Sequence, residues 1–142
     1  MKKSLFLVML SLVWLSGCKK DEDVIDPNFA ASVSGRYPLT FFREGSQSIN
    51  LPVNGISGYL ETTRIDNTHI NMKLSLTVGP DAADTSVDDL GSVELLSDSG
   101  NRGTFNLRAA QFGYNVGTIS ATDVTIRDTA TDGTEIEIRG KR

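Results

Sequence analysis

Apolar positions recur at every second residue along much of the chain. Nowhere between Val33 and Arg142 do they hold the 3.6-residue period of an amphipathic helix over ten residues. The clearest run is His69 to Val78, where Ile70, Met72, Leu74, Leu76 and Val78 share one face and His69, Asn71, Lys73, Ser75 and Thr77 the other. Such alternation predicts a strand with one face buried and one in water. Asp66-Asn67, residues that tolerate positive φ, join it to the run Gly58 to Ile65 and predict a tight hairpin. Further runs are Gly35 to Arg43, Ser48 to Val53, Ser92 to Leu96, Gly103 to Arg108, Asn115 to Ser120, Asp123 to Asp128 and Thr134 to Arg139, with Asp98-Ser99-Gly100-Asn101 and Thr131-Asp132-Gly133 as turns. Pro38 and Pro52 fall inside two of these runs and predict an edge or a bulge, since proline cannot donate to a ladder. Eight or nine short strands at this spacing predict an all-β domain, an antiparallel barrel or sandwich.

The inward phase of these strands is Tyr37, Leu39, Phe41, Ile49, Leu51, Leu60, Ile70, Met72, Leu74, Leu76, Val93, Leu95, Phe105, Leu107, Val124, Ile126, Ile136 and Ile138. It is almost purely apolar. An eight-stranded barrel is wide enough either to fill with its own side chains or to hold one small ligand, so this set fits a packed core and an apolar pocket alike. If there is a pocket, Tyr37, Phe41, Leu60, Met72, Leu74 and Phe105 are its candidate lining. Phe42, Tyr59, Phe112 and Tyr114 fall out of phase or within the glycine-bearing stretch Gln111 to Gly117. They are candidates for exposed aromatics, which stack on sugars or anchor partner proteins.

The N-terminus carries a different pattern. Met1-Lys2-Lys3 is a positive start, and Ser4 to Leu15 is a 12-residue apolar stretch, short for a permanent membrane span and suited to an export signal. It ends in Leu15-Ser16-Gly17-Cys18, which resembles the lipobox of bacterial lipoproteins. The resemblance implies a signal peptide over residues 1–17 and a diacylglyceryl group on the Cys18 thiol. The two or three acyl chains of a mature lipoprotein would anchor it stably in a membrane. Lys19, Lys20, Asp21, Glu22 and Asp23 form a charged tract that cannot pack and reads as a tether. The tract is similar to the surface-export signal that follows the lipidated cysteine in Bacteroidetes lipoproteins, which implies a place on the outer face of the outer membrane. Its simpler reading is a solvated linker on a periplasm-facing lipoprotein. Val24 to Ser32 reads as linker or first turn, so the tether covers residues 18–32 and the folded domain residues 33–142.

The domain opens on Gly35-Arg36-Tyr37 and closes on an alternating strand, Ile136 and Ile138, with Arg139 and Arg142 at its end. This resembles the lipocalins and the wider calycin group, whose first strand begins Gly-x-Trp and whose last strand sets an arginine over that ring. The whole chain is similar to small lipocalin-like lipoproteins of Bacteroidetes. What the resemblance implies is an up-and-down β-barrel of about eight strands with room for a small apolar molecule at its mouth.

Composition narrows the chemistry further. The formal charge of −4 becomes −6 once Lys2 and Lys3 leave with the signal, and no basic run suits a nucleic acid. With Cys18 taken by lipid, His69 is the sole histidine and no cysteine is left for a disulfide or a Cys/His metal site. His69 sits at a strand start on the wet face, away from any nucleophile, and Glu61, Glu135 and Glu137 fall on the solvent phase, so neither a Ser-His pair nor a tuned carboxylate pair is expected. The loop Pro80 to Leu90 carries Asp81, Asp84, Asp88 and Asp89 but lacks the spacing of an EF-hand. It reads as a charged mouth loop rather than a calcium site.

The sequence therefore predicts a non-catalytic surface lipoprotein without cofactor or metal, holding a small apolar ligand. The second reading is a filled barrel that engages an envelope protein or a glycan through its loops or outer face. Replacing Cys18 with Ala should move the protein from the membrane to the soluble fraction. Neutralising Asp21, Glu22 and Asp23 together should protect it from protease added to whole cells, and unchanged cleavage would reduce the tract to a linker.

Overall fold

A computed structural model describes residues 28–79 and 84–142; Cys18, Lys19, Lys20, Asp21, Glu22, Asp23 and Asp81 lie outside the described residues. A short helix, α1 (Phe29–Val33), precedes nine strands: β1 (Gly35–Glu44), β2 (Gln47–Asn50), β3 (Ile56–Arg64), β4 (His69–Val78), β5 (Thr85–Ser97), β6 (Thr104–Ala109), β7 (Asn115–Ser120), β8 (Asp123–Thr129) and β9 (Glu135–Lys141). Every pairing is antiparallel. The sheet runs in the order β2-β1-β3-β4-β5-β6-β7-β8-β9, and β1 also pairs with β9, which closes eight strands into a barrel with β2 as an extra strand. Closure leaves few unpaired edges, and the inward side chains of the strands form one apolar core.

Three bulges decide which residues face inward. Between β1 and β9, Leu39 faces Gly140 but Phe41 faces Arg139, so Thr40 is an extra residue and the phase of β1 changes there. Beyond it Phe42 opposes Ile138 and packs on the core, while Phe41 is turned outward, with the Arg139 guanidinium 4.7 Å from its ring centre. This reverses the order that strict alternation gives for Phe41 and Phe42. Between β4 and β5, Met72 faces Gly91 and Lys73 faces Asp89, leaving Leu90 as the extra residue. Gly91 supplies the positive φ of 84° that this bulge requires. Between β6 and β7, Leu107 faces Gly117 and Arg108 faces Asn115, which leaves Val116 as the extra residue.

Two segments differ from their expected form. Thr85 to Leu90, within the stretch expected to be a loop, is the first half of β5. The last residues expected to be linker form α1, capped by the Asn28 side chain, which accepts from Ala31 N at 3.2 Å. Ala30 and Val33 of α1 are fully buried, and the Phe29 ring lies 4.8 Å from that of Phe105. The run expected over Ser48 to Val53 is also shorter, because β2 ends at Asn50 and Pro52 falls in the turn before β3.

Helix α1 seals one end of the barrel. Under it Tyr37 is completely buried, its hydroxyl 2.9 Å from Val33 O and 2.7 Å from Ser120 O, and burial pushes its pKa up to about 12. The Arg142 guanidinium lies 4.1 Å from the Tyr37 ring centre and donates to the carbonyls of Arg36, Ala121 and Val33. Thr62 Oγ1 donates to Val33 O at 2.6 Å. Gly35 has φ 136°, and a Cβ there would stand 2.6 Å from Arg142 Nη2, so the arginine closes over the ring only because this residue has no side chain.

On the outer wall, Glu137 departs from its expected exposure. It does occupy the outward phase, opposite Ile136 and Ile138, but its side chain is only 5% exposed because three arginines cover it. Arg43 reaches it at 3.1 Å, Arg127 at 3.2 Å and Arg139 at 2.6 Å. The hydrogen bond from Arg139 is the main cause of a pKa held below the usual carboxylate value.

At the sealed end, Arg142→Met removes the stacked cation and its carbonyl bonds and should lower the unfolding free energy by roughly 2–3 kcal/mol, against about 1 kcal/mol for Tyr37→Phe, in urea titrations. Glu137→Gln should cost roughly 1–3 kcal/mol at neutral pH, since it leaves three guanidinium groups facing one another, partly screened by water. A depressed folded pKa stabilises above the unfolded value, near 4.5, and that stabilisation disappears as pH falls through the folded value. The melting-temperature gap between native protein and Glu137→Gln should therefore be constant from pH 8 to pH 6 and narrow below pH 4.5; a gap that does not change with pH contradicts this.

Candidate functional site

Opposite the sealed end, the barrel opens into a cavity of about 390 Å³. Its apolar wall comes from Met72 on β4, Val93 on β5, Val116 on β7, Ile126 on β8, and Ile136 and Ile138 on β9. Two of the bulges contribute to it directly. The extra residues Leu90 and Val116 both line the cavity, which strict alternation along β5 and β7 would not have predicted. The rim is the β6–β7 connection from Ala109 to Tyr114, with Phe112 66% exposed and Tyr114 44% exposed. Their rings stack with centres 5.9 Å apart. Val78, Val87 and Leu90 are also exposed in the half of the barrel nearer the mouth.

The wall is incomplete beside this rim. The β7–β8 ladder stops at Gly117 and Ile126, although β7 begins at Asn115 and β8 continues to Thr129. Across the gap the Tyr114 hydroxyl donates to Asp128 Oδ1 at 3.1 Å, and this bond raises the Tyr114 pKa. Outside the gap lies a polar hollow of about 270 Å³, lined by Arg43, Asn115, Arg127, Thr129 and Glu135. Tyr114, Asp128 and Ile136 line both spaces. Arg43 and Arg127 are held in place from below by Glu137.

Of the six residues expected to line a pocket, Met72 alone borders the mouth cavity. Tyr37, Leu60, Leu74 and Phe105 are buried core residues outside its lining, and Phe41 is on the outer wall. Among the expected exposed aromatics, Phe112 and Tyr114 are exposed, Phe42 packs on the core, and Tyr59 lies under the Arg36 guanidinium at 4.6 Å. His69 is the partly exposed first residue of β4, paired with Asp66 at 2.9 Å. The pair sits in the β3–β4 hairpin, where backbone hydrogen bonding from Thr68 and the His69 contact pull the Asp66 pKa down to about 2. Asp89 accepts from Asn71 and from the Gly91 amide, and among the described residues no three His, Cys, Asp or Glu side chains gather as a metal site.

No protein-family model matches the chain, and no curated protein does. Among solved structures, a redesigned β-barrel superposes with a TM-score of 0.51 at 14% identity, over 82% of this chain and 96% of that one. A candidate outer membrane protein from Bacteroides fragilis superposes with a TM-score of 0.50 at 14% identity, over 81% of this chain. The match spans 53%, about half, of that protein's length. At these identities the likeness is one of fold: the chain is a closed antiparallel β-barrel.

Proposed function

We propose that the protein is a non-catalytic lipoprotein of the outer membrane, facing the cell surface, whose lipocalin-like barrel takes up a small apolar molecule through its open mouth. The observation that carries this reading is the largely apolar cavity of about 390 Å³ at the mouth of the barrel, a volume within the usual range for small-molecule sites. A barrel filled by its own side chains would leave no such space. Acid-base catalysis finds little support there, because among the described residues the only carboxylate lining the cavity is Asp128, already held by Tyr114.

The lipobox ending at Cys18 and the tract Lys19 to Asp23 support the anchor and its outward face, and the fold shared with the Bacteroides protein agrees with them. Arg142 stacked over Tyr37 agrees with the lipocalin resemblance. Nine residues separate Cys18 from Asn28, a tether of about 35 Å at full stretch. The described chain enters the barrel through α1 at the sealed end, so such a tether draws that end toward the bilayer and leaves the mouth facing away.

Native mass spectrometry of the unlipidated chain from Cys18 to Arg142, repurified after incubation with an envelope extract, should show one small-molecule adduct per protein. Val116→Trp, which fills the cavity, should abolish the adduct while the barrel stays folded by circular dichroism. A bare protein mass after repeated trials would overturn the carrier reading in favour of a module that engages a protein or glycan partner.

A further inference from the structure

We infer that the molecule held at the mouth is an amphiphile whose alkyl chain occupies the apolar cavity and whose uncharged, hydroxyl-rich head, a sugar, rests in the polar hollow outside the β7–β8 gap. This rests on the carrier reading and names the class of ligand. The two spaces meet at Tyr114, Asp128 and Ile136, so a chain seated against Ile136 places its head beside Asp128 without leaving the protein surface.

The chemistry of the hollow selects the head. Its charged side chains are two arginines, Arg43 and Arg127, and two carboxylates, Asp128 and Glu135. An anionic head would gain from the first pair and lose to the second, and a cationic head the reverse. A sugar needs donors and acceptors in alternation. Guanidinium groups donate in a planar fork, carboxylates only accept, and Asn115 and Thr129 can do both. Glu137 holds both arginines from beneath, so the fork is fixed before a ligand arrives. The stacked rings of Phe112 and Tyr114 at the rim add an apolar face of the kind on which a sugar ring lies. The Tyr114–Asp128 bond is exposed, and a hydroxyl can take the place of either partner at little cost.

Three probes with the same eight-carbon chain separate the head from the tail: octyl glucoside, octanoate and 1-octanol, each titrated below its micellar concentration into the unlipidated chain and followed by calorimetry. Octyl glucoside should bind at least about tenfold more tightly than octanoate, the gain expected from one or two well-made hydrogen bonds. The double variant Asp128→Asn, Glu135→Gln removes both carboxylates from exposed positions without altering shape. It should reverse the order of octyl glucoside and octanoate, because Arg43, Arg127 and Arg139 then share Glu137 as their remaining counter-charge. If 1-octanol binds but the glucoside binds no more tightly than octanoate, or if the double variant keeps the native order, the head site is wrong while the apolar cavity stands. If none of the three binds, the head site and the carrier reading fail together.

Discussion

The stack of Arg142 on Tyr37 is the constraint from which the rest of the architecture follows. It joins the last residue of the chain to the first strand, at the end of the barrel where α1 also docks. The β1–β9 pairing brings the two strands together, and Arg142 then ties the carbonyls of Val33, Arg36 and Ala121 into one closed surface. With that end covered by a buried aromatic ring, an apolar helix and a cation, the cavity lies at the other end. An up-and-down barrel has no inherent inside-to-outside direction; this cluster supplies one.

At the mouth the same sheet behaves differently because its regular alternation is broken. Each bulge adds a residue to one strand, and two of those residues, Leu90 and Val116, turn into the cavity. Above Gly117 and Ile126 the ladder between β7 and β8 stops, and a side-chain bond from Tyr114 to Asp128 replaces backbone pairing. The outer wall next to this gap is held by charge rather than by packing. Glu137 lies under Arg43, Arg127 and Arg139, so the arginines facing the polar hollow are positioned by a residue that faces neither space. The sealed half of the molecule is thus built for rigidity, and the open half exposes groups that a fully paired barrel would have satisfied internally.

Much of this was legible in the sequence, and most of the exceptions share a cause. The run His69 to Val78 has the bounds of β4 and its apolar phase is buried at Ile70, Met72 and Leu74, although Val78 is exposed and Ser75 of the opposite phase is buried. The resemblance carried by Gly35-Arg36-Tyr37 implied an arginine over the first-strand ring, where Arg142 lies over Tyr37. Phe41 and Phe42 were assigned to the wrong faces because one inserted residue at Thr40 changes the phase of everything after it, and periodicity read from a single strand carries no trace of its neighbour's register. Val116 escaped notice for the same reason, and Leu90 because the acidic stretch Pro80 to Leu90 reads as a loop. Glu137 lay on the expected face, yet its burial depends on arginines from β1 and β8 that only the closed sheet brings together. The helix over Phe29 to Val33 is too short to show a period, and its stability comes from the barrel end it covers.

The central claim is that the open end encloses a working apolar cavity while the sealed end is solid core. Methyl-resolved nuclear magnetic resonance during a titration with 1-octanol tests it most directly. The account predicts saturable shifts at Met72, Val93, Val116, Ile126, Ile136 and Ile138, with Val33, Ile119 and Val124 of the sealed half unmoved. Shifts spread evenly over both halves, or none that saturate, would contradict it.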